Sequence, residues 1–339
     1  MLRAGILGVA AIVAAAPVAA QDDVASFYTG KQLRIIVGVG VGSGYDTTAR
    51  IVGRHIGKHI PGKPEVIVQN QPGAGSATMM NTLYASGARD GTVIGAPFNG
   101  GPTIPVLAPD QGRFDATKLG WVGSANKATQ TIYAWHTAPI KSIEDVFKQE
   151  FVVGSQAPGS SQYDYPAVAN VLFGTKFKII NGYSATPKIH LAMEAGEVMG
   201  VAATSWSTLK FLISDYIKDK KVNLLGQWGL KKHAELPDLP NMLDYAKTDE
   251  QKLALRLLLV RLEFGVPYFV PPEVPAARLT ALRRAFDATM KDPGYIAENE
   301  RAKLEINPLT GEEVEALVKE ASATPPAIAK IVRDAMAVK

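Results

Sequence analysis

The sequence predicts an α/β fold of two lobes, each built from parallel-sheet α/β units, with a cleft between them. Short β-branched runs alternate with amphipathic stretches of helical length, a pattern typical of strand–helix–strand units with right-handed crossovers. This pattern begins near residue 33 and starts again near residue 131. In each half, a loop rich in glycine and serine follows an early strand, which places two similar loops in two similar units.

The first half contains three strands and two helices. The runs at 33–37, 65–69 and 92–96 are short, apolar and rich in β-branched residues, as buried parallel strands are. The first helix is expected to be capped by Asp46-Thr47, because Asp and Thr favour that position. A second helix is expected at 76–86.

The second half repeats this order and ends in a different kind of segment. Its strands are expected at 131–136, 151–155, 177–180, 198–203 and 222–226. A helix at 249–262, a strand at 264–270 and several amphipathic helices complete the chain. Because this tail has no glycine-loop strand unit of its own, we expect it to pack on the first lobe. The expected division is 21–136 with 227–339 for lobe 1, and 137–226 for lobe 2.

The first twenty residues differ in composition from the rest. Arg3 gives a positive start, an apolar run follows from Ala4 to Ala16, and Val18-Ala19-Ala20 resembles a cleavage site. Residues 1–20 are therefore predicted to be a secretory signal peptide, too short for a membrane span; an uncleaved anchor is the alternative. The chain has no cysteine, which excludes disulfides and lipid attachment at a cysteine and suits an oxidising compartment. The expected location is the periplasm.

Composition argues against several classes of partner and site. The formal net charge of +4 is spread along all 339 residues, whereas a nucleic-acid groove needs clustered basic residues. His55 and His59 have a spacing that can bind a metal, but no third ligand is near in the sequence. We therefore expect no nucleic acid, no metal and no cofactor.

Catalytic patterns are also missing from the sequence. No G-x-S-x-G motif is present. Ser160 or Ser161 could act as a nucleophile only with a histidine at a matching loop position, and none is found. Glu194, Glu197 and Asp164 are expected to be solvated rather than to form an acid–base pair. The sequence therefore favours a protein that is not an enzyme, with an α/β enzyme acting on a small acid as the alternative.

The loop at 40–46 favours an anion. Its glycines permit backbone conformations that turn successive N–H groups inward, and the following helix adds its free N-terminal N–H groups and dipole. Such a concavity binds an anion without lysine or arginine. The glycine spacing fits neither the dinucleotide fingerprint nor the phosphate loop. The remaining alternative is a glycine loop that only makes a tight turn.

Several motifs resemble, in order, the substrate-binding receptors of tripartite tricarboxylate transporters, also called Bug proteins. The matching segments are the strand 33–37, Gly42-Ser43-Gly44-Tyr45-Asp46, Asn70-Gln71-Pro72-Gly73-Ala74-Gly75, Asp90-Gly91-Thr92, Gly182-Tyr183, Ala195-Gly196-Glu197 and Leu236-Pro237-Asp238-Leu239-Pro240. Each motif is weak by itself, but together they span essentially the whole chain after the signal peptide.

The resemblance implies a type II periplasmic-binding-protein-like fold that closes on a carboxylate. It implies a first jaw at residues 42–46 and a second jaw at residues 159–161, which hold the carboxylate largely through backbone N–H groups. The implied ligand-binding residues are Gly42, Ser43, Gly44, Asp46, Asn99, Gly100, Gly159, Ser160, Ser161, Tyr183 and Thr204. Tyr45, which departs from the family pattern, is a ligand-binding candidate of this chain itself. Trp206 is a further candidate that could stack on a ligand or belong to the core.

The sequence departs from the family pattern in the first jaw. Gly38 and Gly40 stand at proline positions, Ser43 replaces a glycine, and Tyr45 replaces a small residue. The identity of the ligand therefore cannot be carried over, although Tyr45 and Trp206 make an aromatic acid worth testing. The implied role is delivery of a carboxylate by a monomer to membrane transport subunits. Presentation of the ligand to a membrane sensor kinase is the alternative.

Overall fold

The structure is a computed structural model that describes residues 24–156 and 159–337. The predicted signal peptide lies outside these residues. The strands, in chain order, are β1 (Gln32–Val37), β2 (Glu65–Asn70), β3 (Val93–Ala96), β4 (Gly120–Ser124), β5 (Gln130–Trp135), β6 (Phe151–Gly154), β7 (Phe177–Ile180), β8 (Gly200–Ser205), β9 (Val222–Trp228), β10 (Pro267–Val270) and β11 (Leu309–Thr310).

Helices of varied length cover these strands. In chain order they are α1 (Gly44–Ile56), α2 (Ala77–Ser86), α3 (Ile104–Leu107), α4 (Asp145–Lys148), α5 (Ser161–Phe173), α6 (Thr186–Glu194), α7 (Trp206–Leu212), α8 (Ser214–Lys218), α9 (Asp249–Glu263), α10 (Ala276–Met290), α11 (Pro293–Ala302), α12 (Gly311–Ser322) and α13 (Pro326–Met336). Within residues 24–156 and 159–337, none of the helices has the length and apolar character needed to cross a bilayer.

The strands form two sheets, as the sequence predicts. The first has the order β11-β4-β10-β3-β1-β2, and the second has the order β7-β6-β8-β5-β9. Strand β1 is parallel to β2 and β3, and β6 is parallel to β7 and β8. The loops that follow β1, β3, β6 and β8 therefore leave the sheets at the carboxyl ends of the strands, where open α/β sheets bind ligands. We use lobe 1 for the first sheet with its helices, and lobe 2 for the second.

Each sheet also contains antiparallel strands, which the sequence did not predict. Strand β10 is antiparallel to β3 and β4, and β5 is antiparallel to β8 and β9. The strand expected at 131–136 in lobe 1 thus pairs within the sheet of lobe 2. The chain changes sheets between Ser124 and Gln130, before the expected boundary at 136.

Two local differences have clear causes. Strand β4 was not predicted, because two glycines interrupt its short apolar run. A Cβ on Gly123 would lie 2.4 Å from the ring of Phe286, so glycine there leaves room for that ring. The strand expected at 264–270 begins at Pro267, because α9 continues to Glu263 and Gly265 then takes a φ of +33°.

The tail contacts both lobes. Strands β10 and β11 complete the first sheet, and α10, α11 and α12 pack on lobe 1 as expected. Helix α9 differs, because Gln251 Nε2 donates to Leu172 O of α5 while Leu262 O accepts from Ala128 N. Helix α13 packs against α5 of lobe 2, and Arg333 Nη1 donates to Val106 O of lobe 1.

Candidate functional site

The first jaw is a glycine turn that leads directly into α1. Gly42 has a φ of +81°, a left-handed conformation that favours glycine. The Ser43 side chain caps the helix, because its Oγ accepts from Asp46 N at 3.2 Å. The cap is therefore Ser43, whereas the sequence predicted a cap at Asp46-Thr47. The cap lies three residues before Asp46, and the helix therefore begins at Gly44, with its amino end close to the jaw.

Asp46 holds this jaw together from inside. Its carboxylate accepts from Gly42 N at 2.8 Å, from Arg50 Nε at 3.1 Å and from Asn70 Nδ2 at 2.9 Å. Burial opposes ionisation, but the hydrogen bonds from these groups outweigh it and lower the pKa of Asp46. Only 2% of Asp46 is exposed. Asp46 was expected to contact the ligand, and its carboxylate is instead bonded within the jaw.

Backbone donors remain available at the same place. Within the described residues, the N–H groups of Ser43, Gly44 and Tyr45 have no hydrogen-bond acceptor. Gly42 and Gly44 are exposed, and Ser43 is partly exposed. These N–H groups lie at the positive end of the α1 dipole, so this jaw can bind an anion.

The second jaw has the same construction. Gly159 has a φ of +89°, and its N–H donates to Asp164 Oδ1 at 2.9 Å. Ser160 occupies the cap position of α5, where its carbonyl accepts from Asp164 N at 2.8 Å. Helix α5 begins at Ser161. In both jaws a left-handed glycine therefore donates to an aspartate in the first turn of the following helix.

Asp164 is buried, although the sequence predicted a solvated residue. It is 1% exposed, and its Oδ2 lies 3.2 Å from Arg261 Nη1. Burial raises the pKa of Asp164, and neither the charge of Arg261 nor the hydrogen bond from Gly159 fully reverses this. Glu194 and Glu197 are exposed, as expected.

An open cavity of about 240 Å³ lies between the two lobes, beside the second jaw. Its lining residues come from both lobes and from the tail: Ala74, Gly75, Phe98, Gly100, Thr103, Ile104, Leu107, Ala108, Gln111, Gly159, Asp164, Arg261 and Met336. Gly100 and Gly159, both predicted from the sequence, thus line one cavity. The ring of Tyr45 lies 5.2 Å from that of Phe98, which connects the first jaw to this cavity.

Buried polar atoms without partners occur at the carboxyl ends of the strands. Asn99 Oδ1 follows β3, Ser155 Oγ follows β6, and Gln162 Oε1 lies in the first turn of α5. None has a hydrogen-bond partner among the described residues. Since buried polar groups in folded proteins are normally paired, these three atoms have capacity for a ligand or water. Asn99 was predicted as a cleft residue, whereas Ser155 and Gln162 were not.

Three predicted residues of lobe 2 have different surroundings. Trp206 is 8% exposed, belongs to the core of lobe 2, and donates from Nε1 to Glu235 Oε2 at 2.7 Å. Thr204 is 4% exposed, with Oγ1 lying 3.4 Å from Tyr133 OH. Tyr183 is partly buried against the same core. Trp206 is therefore a core residue here, and not one that stacks in the cleft.

Arg261 is the charged residue that the sequence analysis missed. It lies near the end of α9, far along the chain from either jaw, so neither loop motif points to it. A signal was nevertheless present. Arg261 interrupts an apolar run from Leu257 to Leu262 in which the other residues are buried. A charge within such a run must reach a polar partner.

His55 and His59 have acidic partners at α11 and at its N-cap. His55 Nε2 lies 2.8 Å from Glu298 Oε2, and His59 Nε2 lies 3.0 Å from Asp292 Oδ2. These contacts attach α1 and the turn after it to α11 and its cap residue Asp292. Residues 24–156 and 159–337 contain no group of three or more His, Asp or Glu side chains that could hold a metal.

The buried histidine of lobe 2 predicts a pH-dependent stability. His190 is 5% exposed, its Nε2 lies 2.8 Å from Tyr133 OH, and burial lowers its pKa to about 4. In the unfolded chain the pKa of histidine is about 6.5. The unfolded state therefore binds a proton first as the pH falls, and stability should decrease from about pH 6.5 towards pH 4 by on the order of 3 kcal/mol.

Urea unfolding of H190Q between pH 7 and pH 4.5 tests this. We expect a smaller loss of unfolding free energy than in the wild type, while H136Q, at an exposed histidine, behaves like the wild type. Equal pH dependence in H190Q and wild type would contradict the assignment.

Comparisons with known proteins identify relatives of this chain in sequence and in fold. A curated relative, the UPF0065 protein in gbd 5'region of Cupriavidus necator, is 26% identical over 253 residues, which are 71% of this chain and 72% of that protein. A TctC solute binding protein from Polaromonas, solved without ligand, has a TM-score of 0.70 at 16% identity, covering 91% of this chain and 99% of that one. Rpa4515 of R. palustris with adipate has a TM-score of 0.59 at 15% identity, covering 89% and 97%.

At these identities the solved structures establish a shared fold. A profile of the TctC family, described as the tripartite tricarboxylate transporter family receptor, matches residues 49–332. Since this match covers most of its length, the chain belongs to the TctC family of tripartite tricarboxylate transporter receptors.

Proposed function

We propose that this chain is a periplasmic solute-binding protein that captures a small carboxylate between its lobes for delivery to the membrane subunits of a tripartite transporter. The observation that carries the proposal is the pair of jaws. Each presents a helix amino end beside a left-handed glycine whose N–H is fixed by a buried aspartate. Family membership and the adipate in Rpa4515 support the same ligand class.

The ligand is bound mainly by backbone donors of the first jaw. The N–H groups of Ser43, Gly44 and Tyr45 converge at the start of α1, and a carboxylate there benefits from the helix dipole. Gly159, Ser160 and Ser161 close on it from lobe 2. Asn99 and Gly100 lie at the end of β3, and Asn99 Oδ1 provides an unsatisfied polar atom for a ligand or a bridging water.

Binding is coupled to closure of the lobes. The lobes are joined by the segments that follow β4 and β9, and rotation about these segments brings the jaws together. Contacts with both jaws exist only in the closed state, so a ligand stabilises closure by its greater affinity for that state. This role requires no catalytic group. A monomer suffices, because both jaws belong to one chain.

Presentation of the loaded protein to a membrane sensor kinase uses the same binding chemistry. Capture of solubilised membrane proteins by the immobilised, ligand-loaded protein distinguishes the two roles. Recovery of transporter subunits supports delivery, whereas recovery of a kinase supports sensing.

Gly44 provides a size-graded test of the first jaw. A Cβ at Gly44 meets no atom within 4 Å, and its φ lies outside the left-handed range, so a side chain there fills open space without strain. In a thermal-shift screen of aliphatic and aromatic carboxylates, wild type should gain stability with its ligand. By titration calorimetry, G44A should bind more weakly and G44L should lose most of the affinity, while both unfold like the wild type without ligand. Unchanged affinity in G44L would remove the first jaw from the site.

Asp46 provides a second test. D46A leaves Gly42 N and Arg50 without their shared acceptor, so we expect a loss of about 2 kcal/mol in unfolding free energy and a strong loss of carboxylate affinity. Asp90 is a matched control. Its Oδ1 accepts from Thr92 N at 2.9 Å in a turn before β3, at the amino ends of the strands, whereas the jaw lies at their carboxyl ends. D90A should reduce stability and keep the affinity. If D46A binds as tightly as D90A, the jaw does not depend on Asp46.

A further inference from the structure

Arg261 occupies an unusual position for a cation. Its side chain is 12% exposed and lines the cavity between the lobes, whereas the side chain of its partner Asp164 is 2% exposed. The guanidinium therefore lies between a buried carboxylate and the open space of the cavity. A pair that served only to stabilise the fold would gain little from this placement, because burying two charges costs about as much as their attraction returns.

The other guanidinium nitrogens face lobe 1. A Cβ on Gly100 would lie 3.2 Å from Arg261 Nε and 3.3 Å from Nη2, so the absence of a side chain at Gly100 lets the guanidinium approach the backbone. Among the described residues, the structure gives Arg261 one side-chain hydrogen bond, from Nη1 to Asp164 Oδ2. A guanidinium has five N–H donors in a planar fork suited to a carboxylate. Donor capacity therefore remains at the cavity wall.

Asp164 fixes the direction of this fork. It accepts from Gly159 N at 2.9 Å and from Arg261 at 3.2 Å, so it ties the second jaw and the guanidinium into one unit. The rest of the wall is largely apolar, with Phe98, Ile104 and Leu107. The cavity thus has a cationic group, Arg261, in a largely apolar wall. Residues 42–44 of the first jaw do not line this cavity, so Arg261 and the first jaw are separate contact points.

We infer that Arg261 is a specificity-determining residue that binds a second carboxylate of the ligand, with Asp164 as its positioning residue. The inference rests on the proposed function and narrows it: the first jaw binds one acid group, and Arg261 binds another at the far side of the Tyr45 and Phe98 rings. The ligand class is accordingly a dicarboxylate with an apolar middle.

Matched ligands separate this role from a structural one. Succinate, glutarate and adipate are each titrated beside their monomethyl esters, which keep one carboxylate and the chain length. We expect wild type to prefer at least one diacid over its ester by about 10- to 100-fold, the range for a hydrogen-bonded ion pair. R261M should abolish this preference while ester affinity stays unchanged. R261K should retain part of it, because it keeps the charge without the fork.

Variants guard against simple misfolding. R256M removes the other arginine of α9, whose partner is Glu320 on the surface, and should keep the wild-type preference. The double variant D164N/R261M removes both charges and avoids an unpaired buried carboxylate; it should also bind both ligands equally. D164N should lower the preference, and any disturbance of the second jaw through Gly159 should lower the affinities for diacid and ester alike.

The outcomes are distinct. If wild type binds a diacid and its ester equally, or if R261M and the double variant keep the preference, the inference is wrong and the proposed function stands. If wild type binds none of the diacids or esters and no carboxylate of the wider thermal-shift screen, the proposed function itself fails.

Discussion

One interaction recurs at both faces of the cleft and determines its chemistry: a glycine N–H bonded to an aspartate of the next helix. Gly42 donates to Asp46 in lobe 1, and Gly159 donates to Asp164 in lobe 2. The bond fixes the glycine in a left-handed conformation that a residue with a Cβ would adopt only with strain. It also gives the glycine N–H a hydrogen-bond acceptor within the protein. In lobe 1 this leaves the N–H groups of Ser43, Gly44 and Tyr45 without an acceptor among the described residues. A negatively charged residue can stand beside a site for negative ligands, because Asp46 is paired with Arg50 and Asp164 with Arg261.

The two aspartates differ in a way that matches their surroundings. Asp46 has three side-chain and backbone donors and a lowered pKa, so the first jaw is a finished, electrostatically balanced turn. Asp164 is more deeply enclosed, has fewer donors and has a raised pKa. In the proposed site, amides of lobe 1 therefore face a charged pair, Asp164 and Arg261, on the other side of the cleft.

Much of the fold could be predicted from the sequence, because β-branched runs, glycine loops and helical periodicity are local signals. The strands at 33–37, 65–69 and 177–180, and the glycine loops before α1 and α5, were predicted in this way. Strand β4 is stabilised by pairing with β10 and β11, which are distant along the chain. Its two glycines lower its β-strand propensity, so the sequence did not predict it. Arg261 joins the site only through the packing of α9, and no local pattern contains that information. The sequence alone could not decide whether Trp206 lies in the cleft or in the core, because its hydrogen-bond partner Glu235 is distant along the chain.

The C-terminal helix α13 lies against α5 of lobe 2 while Arg333 bonds to lobe 1 at Val106. Any separation of the lobes must therefore slide this helix along one of its two partners. Packed helices move past each other in small steps between interdigitated arrangements. Opening of the lobes should accordingly combine shear with hinge motion. The contacts of α13 with both lobes would then limit the angle through which the lobes can separate.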